Sequence, residues 1–206
     1  MHLASDFDLE VPAHGLFRST DDTWVYLVRR FDRLSDGTKL SMEDMGQALG
    51  ILTRDKYDFS YEKIAKGVLT FCTHPYLELT RLFERLLFCF AIGNGDMHLK
   101  NFSFLTEVDR TIRLAPVYDY LSSKLLIPRE EDLALYLNGK KNKIKRRDFE
   151  MFSQQNGLDT KVVSNILERL FSRKQSFLER IEKSFLPEKE KDVLGKIIQE
   201  RISRLQ

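Results

Sequence analysis

Between residues 13 and 33 aromatic and β-branched residues gather on either side of a polar tetrad: AHGLFR, then STDD, then TWVYLVRRF. This composition predicts a β-hairpin. Along its second arm Trp24, Tyr26 and Val28 alternate with Val25, Leu27 and Arg29, so both faces carry apolar groups and burial on both is expected. SDGT at 35–38 marks a turn. From about residue 42 the period becomes helical. MEDMGQALGIL opens with acidic residues, as suits a helix N-terminus, and a second helix is expected over 60–72. Leu79, Leu82, Phe83, Leu86, Leu87 and Phe90 then recur at helical spacing in a band broad enough for a buried central helix, which ends near the glycines of GNG at 93–95. Extended pieces follow at NFSFL (101–105) and TIRLAPVYDYL (111–121), separated by the turn EVDR. Beyond the basic segment 138–147 the pattern is helical to the end, with a stripe of Val162, Val163, Ile166, Leu167, Leu170 and Phe171, and with Leu186-Pro187 dividing the last two helices. The expected fold class is α+β and mostly helical, a small N-terminal β portion feeding a helical body.

Composition narrows the function classes. At 206 residues, 42% hydrophobic and with 15 Phe, the chain can bury a substantial core, which excludes a disordered or collagen-like protein. Lys+Arg 33 against Asp+Glu 31 leaves a net charge of +2, so the whole-molecule field does not mark a nucleic-acid binder. No apolar run approaches the roughly 18 residues of a membrane span, and MHLASDFDLE has neither the basic flank nor the apolar stretch of a signal peptide. Cys72 and Cys89 both fall in apolar helical stretches and are expected to be reduced core residues of a cytoplasmic chain.

The chemistry concentrates where the central helix ends. GNGDMHLKNFSFL puts Asp96, His98, Lys100 and Asn101 in a loop between a core helix and a β segment, a common setting for function. The spacing Asp-x-x-x-x-Asn is that of a phosphoryl-transfer catalytic loop, in which the Asp receives the proton of the attacking hydroxyl and the Asn binds magnesium. A hard cation needs more oxygen ligands than one Asn supplies, and Asp119 in LAPVYDYL is the natural second. Taken singly, Asp96 can be read as a turn cap and His98 as a satisfied loop histidine. A zinc site from His98, Asp96 and His74 lacks recognisable ligand spacing.

GNGDMHLKNFSFL followed by RLAPVYDYLSS resembles the catalytic core of HipA-type serine/threonine kinases, the toxins of bacterial toxin–antitoxin pairs. VRRFDRL at 28–34 resembles that family's hinge strand, and MEDMGQALG with Lys56-Tyr57 resembles the block after it. The resemblance implies a protein-kinase-like (HipA C-terminal) fold, with 1–34 the remnant of an N-lobe and hinge and 35–206 a helical C-lobe whose catalytic loop is 94–101. It implies ATP and magnesium as cofactors. Asp96 matches the catalytic base, and Asn101 and Asp119 match the magnesium ligands. His98 and Lys100 match loop residues near the phosphates. Backbone groups around Arg29 and Phe31 would hold the adenine, with Asp32 near the ribose; Arg29 stands where the family usually has an acidic residue. The phosphate-covering loop and strand lysine of kinases have no counterpart before the hinge, since the first lysine is Lys39 and the first glycine Gly15. The resemblance is therefore to the short HipT-like toxins, with a separate HipS-like N-lobe chain, a DNA-binding HipB-like antitoxin, and a protein substrate such as an aminoacyl-tRNA synthetase as the implied partners. A non-catalytic, pseudokinase-like binding subunit is the alternative reading.

NGKKNKIKRRDF at 138–149 is read as a solvated loop leading into a helix. Alternatively, its six basic residues hold an acidic or nucleic-acid-associated target.

Overall fold

The apolar stripe at residues 79–90 is the axis of the fold. The computed structural model describes residues 1–206. In it α4 (Pro75–Ile92) buries Leu79, Leu82, Phe83, Leu86, Leu87, Phe88 and Phe90. Pro75, with its φ preset for a first helical turn, starts α4. Gly93 ends it at φ +69°, with Asn94 N–H donating back to the Cys89 carbonyl at 2.9 Å. A Cβ at Gly93 would also meet Ile197 Cγ2 at 2.8 Å, so both backbone angle and close packing require glycine.

Against α4 lie α3 (Tyr61–Phe71), α7 (Thr160–Glu182) and α8 (Glu188–Ser203). Ser60 caps α3 by accepting from Lys63 N–H, and Asp159 caps α7. The N-terminal α1 (His2–Asp6) docks on α7, held by the pair Asp6–Arg180 at 2.6 Å, and Phe7 just beyond it stacks on Phe88 at 5.6 Å. A contiguous cluster of 45 buried residues runs from Ala4 to Leu205, so the helices share one core. Cys72 and Cys89 are free thiols in that cluster, as expected.

The hairpin forms as β1 (His14–Arg18) and β2 (Trp24–Val28), antiparallel with Leu16 opposite Tyr26. Burial on its two faces is not found within this chain: every β2 residue is exposed and the hairpin adds nothing to the core cluster.

A second difference from the expected pattern lies in the segment from residue 42. Ser41–Asp44 is a strand, β3, which pairs antiparallel with β4 (Ser103–Thr106), itself paired with β5 (Ile112–Leu114) in the order β3-β4-β5. The helix after it, α2 (Met45–Ala48), is a single turn. Its acidic signal is Asp44 acting as N-cap: the side chain accepts from Gln47 N–H and the Gln47 side chain accepts from Asp44 N–H. Gly50 at φ +67° then turns the chain. The last helical stretch comprises α6 (Arg146–Gln155), α7 and α8, preceded by the short α5 (Ser123–Leu126).

Candidate active site

The loop between α4 and β4 is shaped by its own polar groups. Asn94, almost fully buried, accepts Asp96 N–H on its side-chain oxygen at 3.1 Å, and the Asp96 carbonyl then receives His98 N–H at 2.7 Å and the Asn101 side-chain amide at 3.1 Å. Around this turn Met97 and Leu99 point into the core, while Asp96 and Asn101 stay half-exposed. Tyr61 Oη donates to the Met97 carbonyl at 3.2 Å and fixes the loop to α3. Asp96, His98 and Asn101 thus share one turn because the apolar residues between them are drawn into the core.

Two neighbours hold the loop from the side. Tyr57 donates its hydroxyl to Asp96 Oδ1, and burial together with that carboxylate pushes the phenol up to about 12, so it stays a donor. Lys56 Nζ lies 2.8 Å from His98 Nε2, and the Lys56 carbonyl accepts Leu99 N–H at 3.3 Å. An ammonium can only donate, so Nε2 is the acceptor and Nδ1 carries the imidazole proton. Nδ1 is buried with no partner. Burial, then the Lys56 charge, lowers the His98 pKa and keeps the ring neutral, with Asp96 and Asp119 pulling the other way.

Asp119 follows β5 at φ +59°, a left-handed backbone rare for a non-glycine residue. Tyr118 and Tyr120 clamp it on either side. Tyr118 Oη donates to the Lys100 carbonyl at 3.1 Å and bonds Ser103 Oγ at 2.5 Å, and Tyr120 is buried against Phe88. Strain of this kind persists where the surroundings enforce it, often at functional positions. The Asp119 carboxylate is exposed and makes no ion pair or hydrogen bond within the chain. Phe31 stacks on Tyr118 at 5.9 Å, which brings the 29–33 segment to the Asp119 end of the site. There the Arg29 N–H is used by the Ala13 carbonyl, while the Arg29 carbonyl and Phe31 N–H have no partner in the chain.

Two of the sequence candidates are engaged elsewhere. Asp32 is buried and held by Arg30 (2.6 Å) and Arg33 (2.7 Å), with Arg30 chiefly keeping its carboxyl below the usual carboxylate range. Lys100 pairs with Asp44 at 2.8 Å and ties the loop to the cap of α2. Sequence reasoning matched Lys56 and Tyr57 only as part of a block. Their contacts with Asp96 and His98 span about forty residues, and no local pattern announces them. Ser123 and Glu130 were missed. Ser123 Oγ accepts Gly95 N–H at 2.8 Å and donates to Glu130, pinning the segment after Tyr120 to the start of the loop.

The arrangement provides a carboxylate held by a phenol, an amide oxygen in the same turn, and a free carboxylate on the segment that Tyr118 ties to the Lys100 carbonyl. Comparison with known proteins gives this geometry its context. The model of the HipA-like C-terminal domain matches residues 1–177. The chain belongs to this family.

A relative of this HipA-like domain in Haemophilus influenzae, named "Putative kinase", is 27% identical over 235 aligned positions, which take in all of this chain and 68% of that protein. Another in Sinorhizobium fredii, "Putative kinase Y4dM", is 38% identical over 108, covering 52% of this chain and 26% of its own. Among solved structures, a chain of the Shewanella oneidensis complex of HipA, HipB and operator DNA superposes with a TM-score of 0.80 at 21% identity, over 99% of this chain and 53% of that one. The Helicobacter pylori proinflammatory kinase CtkA gives 0.69 at 16% identity, over 99% and 80%. The chain therefore spans about half the length of the Shewanella chain. Its fold is kinase-like, as the sequence resemblance implied.

Proposed function

We propose that this HipA-like domain carries ATP- and magnesium-dependent phosphoryl transfer to a serine or threonine hydroxyl of a protein, as the toxin of a toxin–antitoxin module. The observation that carries the reading is the pairing of donors. The Asn101 amide nitrogen is committed to the Asp96 carbonyl, which leaves Oδ1 without a protein donor, and the Asp119 carboxylate is equally free. A free carboxylate and an amide oxygen suit a hard cation that keeps waters and phosphate oxygens in its remaining positions. Magnesium held there would neutralise charge on the phosphates.

The chain's own residues do the rest. Asp96, with Oδ1 occupied by Tyr57, has its other oxygen available to accept the proton of a substrate hydroxyl. His98, kept neutral, adds no second cation beside Lys56. The unpartnered Arg29 carbonyl and Phe31 N–H offer an acceptor and a donor on adjacent peptides for an adenine edge. Asp32 and Lys100 would act by holding the hinge and the loop, given their ion pairs.

The exposed apolar hairpin supports docking of a separate, HipS-like chain that supplies the phosphate-covering lobe. The Shewanella complex contains HipB, which supports a HipB-like antitoxin as partner here.

Asp119→Asn is nearly isosteric and removes one negative charge from the cation's shell. Calorimetry with ATP at rising magnesium should show a clear loss of magnesium-dependent affinity with thermal unfolding unchanged. Equal magnesium dependence in variant and wild type would remove Asp119 from the assignment.

A further inference from the structure

A cavity of about 650 Å³ opens beside Asp96, between the loop 94–101 and the segment 121–141. Glu130, Glu131 and Lys141 on its rim each have a partner within the chain. Glu130 accepts from Ser123 Oγ and lies so near Gly95 that a Cβ there would come within 2.6 Å of its carboxyl. Glu131 accepts from Asn142 at 3.1 Å and faces Lys141 at 3.9 Å, and Lys141 donates to the Tyr57 carbonyl at 3.1 Å.

Beside the second Asp96 oxygen, what remains unpaired in the cavity is apolar. Leu121, Leu126 and Ile127 line it at 42%, 75% and 55% exposure. The short α5 packs Leu125 against the core and leaves Leu126 outside. Its polar residues face the protein, Ser123 on Gly95 and Lys124 on the Glu130 carbonyl at 2.8 Å, while Leu126 faces solvent. Exposed apolar groups gathered beside a functional group mark a binding surface.

Building on the reading of Asp96 as the base, we propose that this shelf seats a large apolar side chain of the protein substrate. The substrate class is then an extended segment of another protein in which Leu, Ile, Met or Phe stands next to the phosphorylated Ser or Thr. Continuity selects this occupant. Asp96 lines the same cavity, so a side chain resting on Leu126 and Ile127 brings its chain neighbour to the carboxylate. Asp96, Glu130 and Glu131 against the single Lys141 argue against an acidic residue at that place.

The test uses the full 206-residue chain and twelve-residue peptides with a single Ser in a Gly/Ala background, flanked on either side by Leu, Phe, Lys, Glu or Gly. Affinity is read by fluorescence anisotropy, and contact by methyl NMR of Leu126 and Ile127. Leu and Phe peptides should bind about tenfold or more tighter than Glu and Gly peptides, the discrimination expected of one seated apolar side chain. The double change Leu126→Ser and Ile127→Ser, at two exposed positions, should erase that preference and leave thermal unfolding unchanged. Absent binding, equal binding of all peptides, a Lys or Glu preference, a preference that survives the double change, or methyl shifts caused by the antitoxin and not by the peptides would each overturn the proposal. Magnesium–ATP titration of the same samples, with the protein encoded beside this one added to supply the phosphate-covering lobe, separates the two readings. Retained nucleotide binding without an apolar preference removes the shelf alone, whereas an apolar preference without nucleotide binding keeps the shelf and removes phosphoryl transfer.

Discussion

Lys56 and Tyr57 are consecutive, yet each steadies a different residue of the loop 94–101: the lysine His98, the tyrosine Asp96. The imidazole is therefore neutral for two reasons, burial first and the adjacent ammonium second. Lys56→Met removes the second, so the His98 pKa should rise toward its ordinary value of 6.5, read directly by NMR titration of the ring. A stability consequence follows through proton linkage. With the folded pKa depressed, the unfolded chain takes up its proton at higher pH, so the His98 contribution is complete above about pH 6.5 and is lost progressively as pH falls below it. Denaturant titrations at about pH 7.5 and 5.5 should show a smaller acid loss in Lys56→Met than in wild type. An unmoved imidazole pKa would show that the ammonium does not face the ring. Of the site, the local part was legible in the sequence: Asp96, His98 and Asn101 share one turn at short separation. The remote part was not. Tyr57 on Asp96 and Asp44 on Lys100 join residues whose spacing carries no signal, and the engagement of Asp32 by Arg30 and Arg33 depends on rotamers that composition does not specify.

Among the elements, the segment between α5 and α6 is anchored by Asp132, whose carboxylate meets Arg201 at 2.6 Å, Arg204, and Ile144 N–H at 3.2 Å. Burial alone would raise this carboxyl, but the hydrogen bond from Arg204 and the charge of Arg201 hold it below its ordinary value. Arg201 is only 1% exposed, so Asp132→Ala leaves its buried guanidinium with Glu200 alone, at 3.5 Å. Breaking one side of such a pair costs about 3–5 kcal/mol. Chemical denaturation should show a loss of this size, with Asp132→Asn milder because one acceptor survives. A loss under about 1 kcal/mol would show that the cluster is solvated. Helices α3, α4, α7 and α8 were legible because a 3.6-residue stripe is written locally, as Leu79 to Phe90 and Val163 to Leu170 show. Strand β3 was not, because its partner β4 lies some sixty residues on and Ser-Met-Glu-Asp holds only one apolar residue to reveal the period. Of the acidic pair that suggested a longer helix, Asp44 caps a single turn and Glu43 lies in the strand.

For the whole molecule the hairpin and the helical body behave differently. The body closes on one core, while Leu16, Phe17, Trp24, Tyr26 and Leu27 stay exposed. The doubly apolar pattern was legible; the absence of any cover within the chain was not, because covering depends on what meets the hairpin rather than on its own residues. Trp24 is the single tryptophan and leans on Phe185 at 4.9 Å, so it reports on both contacts. Adding the protein encoded beside this one should shift its emission to the blue and slow quenching by acrylamide, and Leu27→Glu should abolish both effects. An unchanged spectrum would show that the hairpin is not the docking face. The role proposed for Asp96 is to receive the proton of a protein hydroxyl during phosphoryl transfer from ATP. Its most direct test is transfer of labelled phosphate to protein by this chain together with the protein encoded beside it, compared between wild type and Asp96→Asn. Transfer should fall by roughly 10²–10⁴-fold in the variant while nucleotide affinity is kept; undiminished transfer by Asp96→Asn, or none by the wild type, would rule that role out.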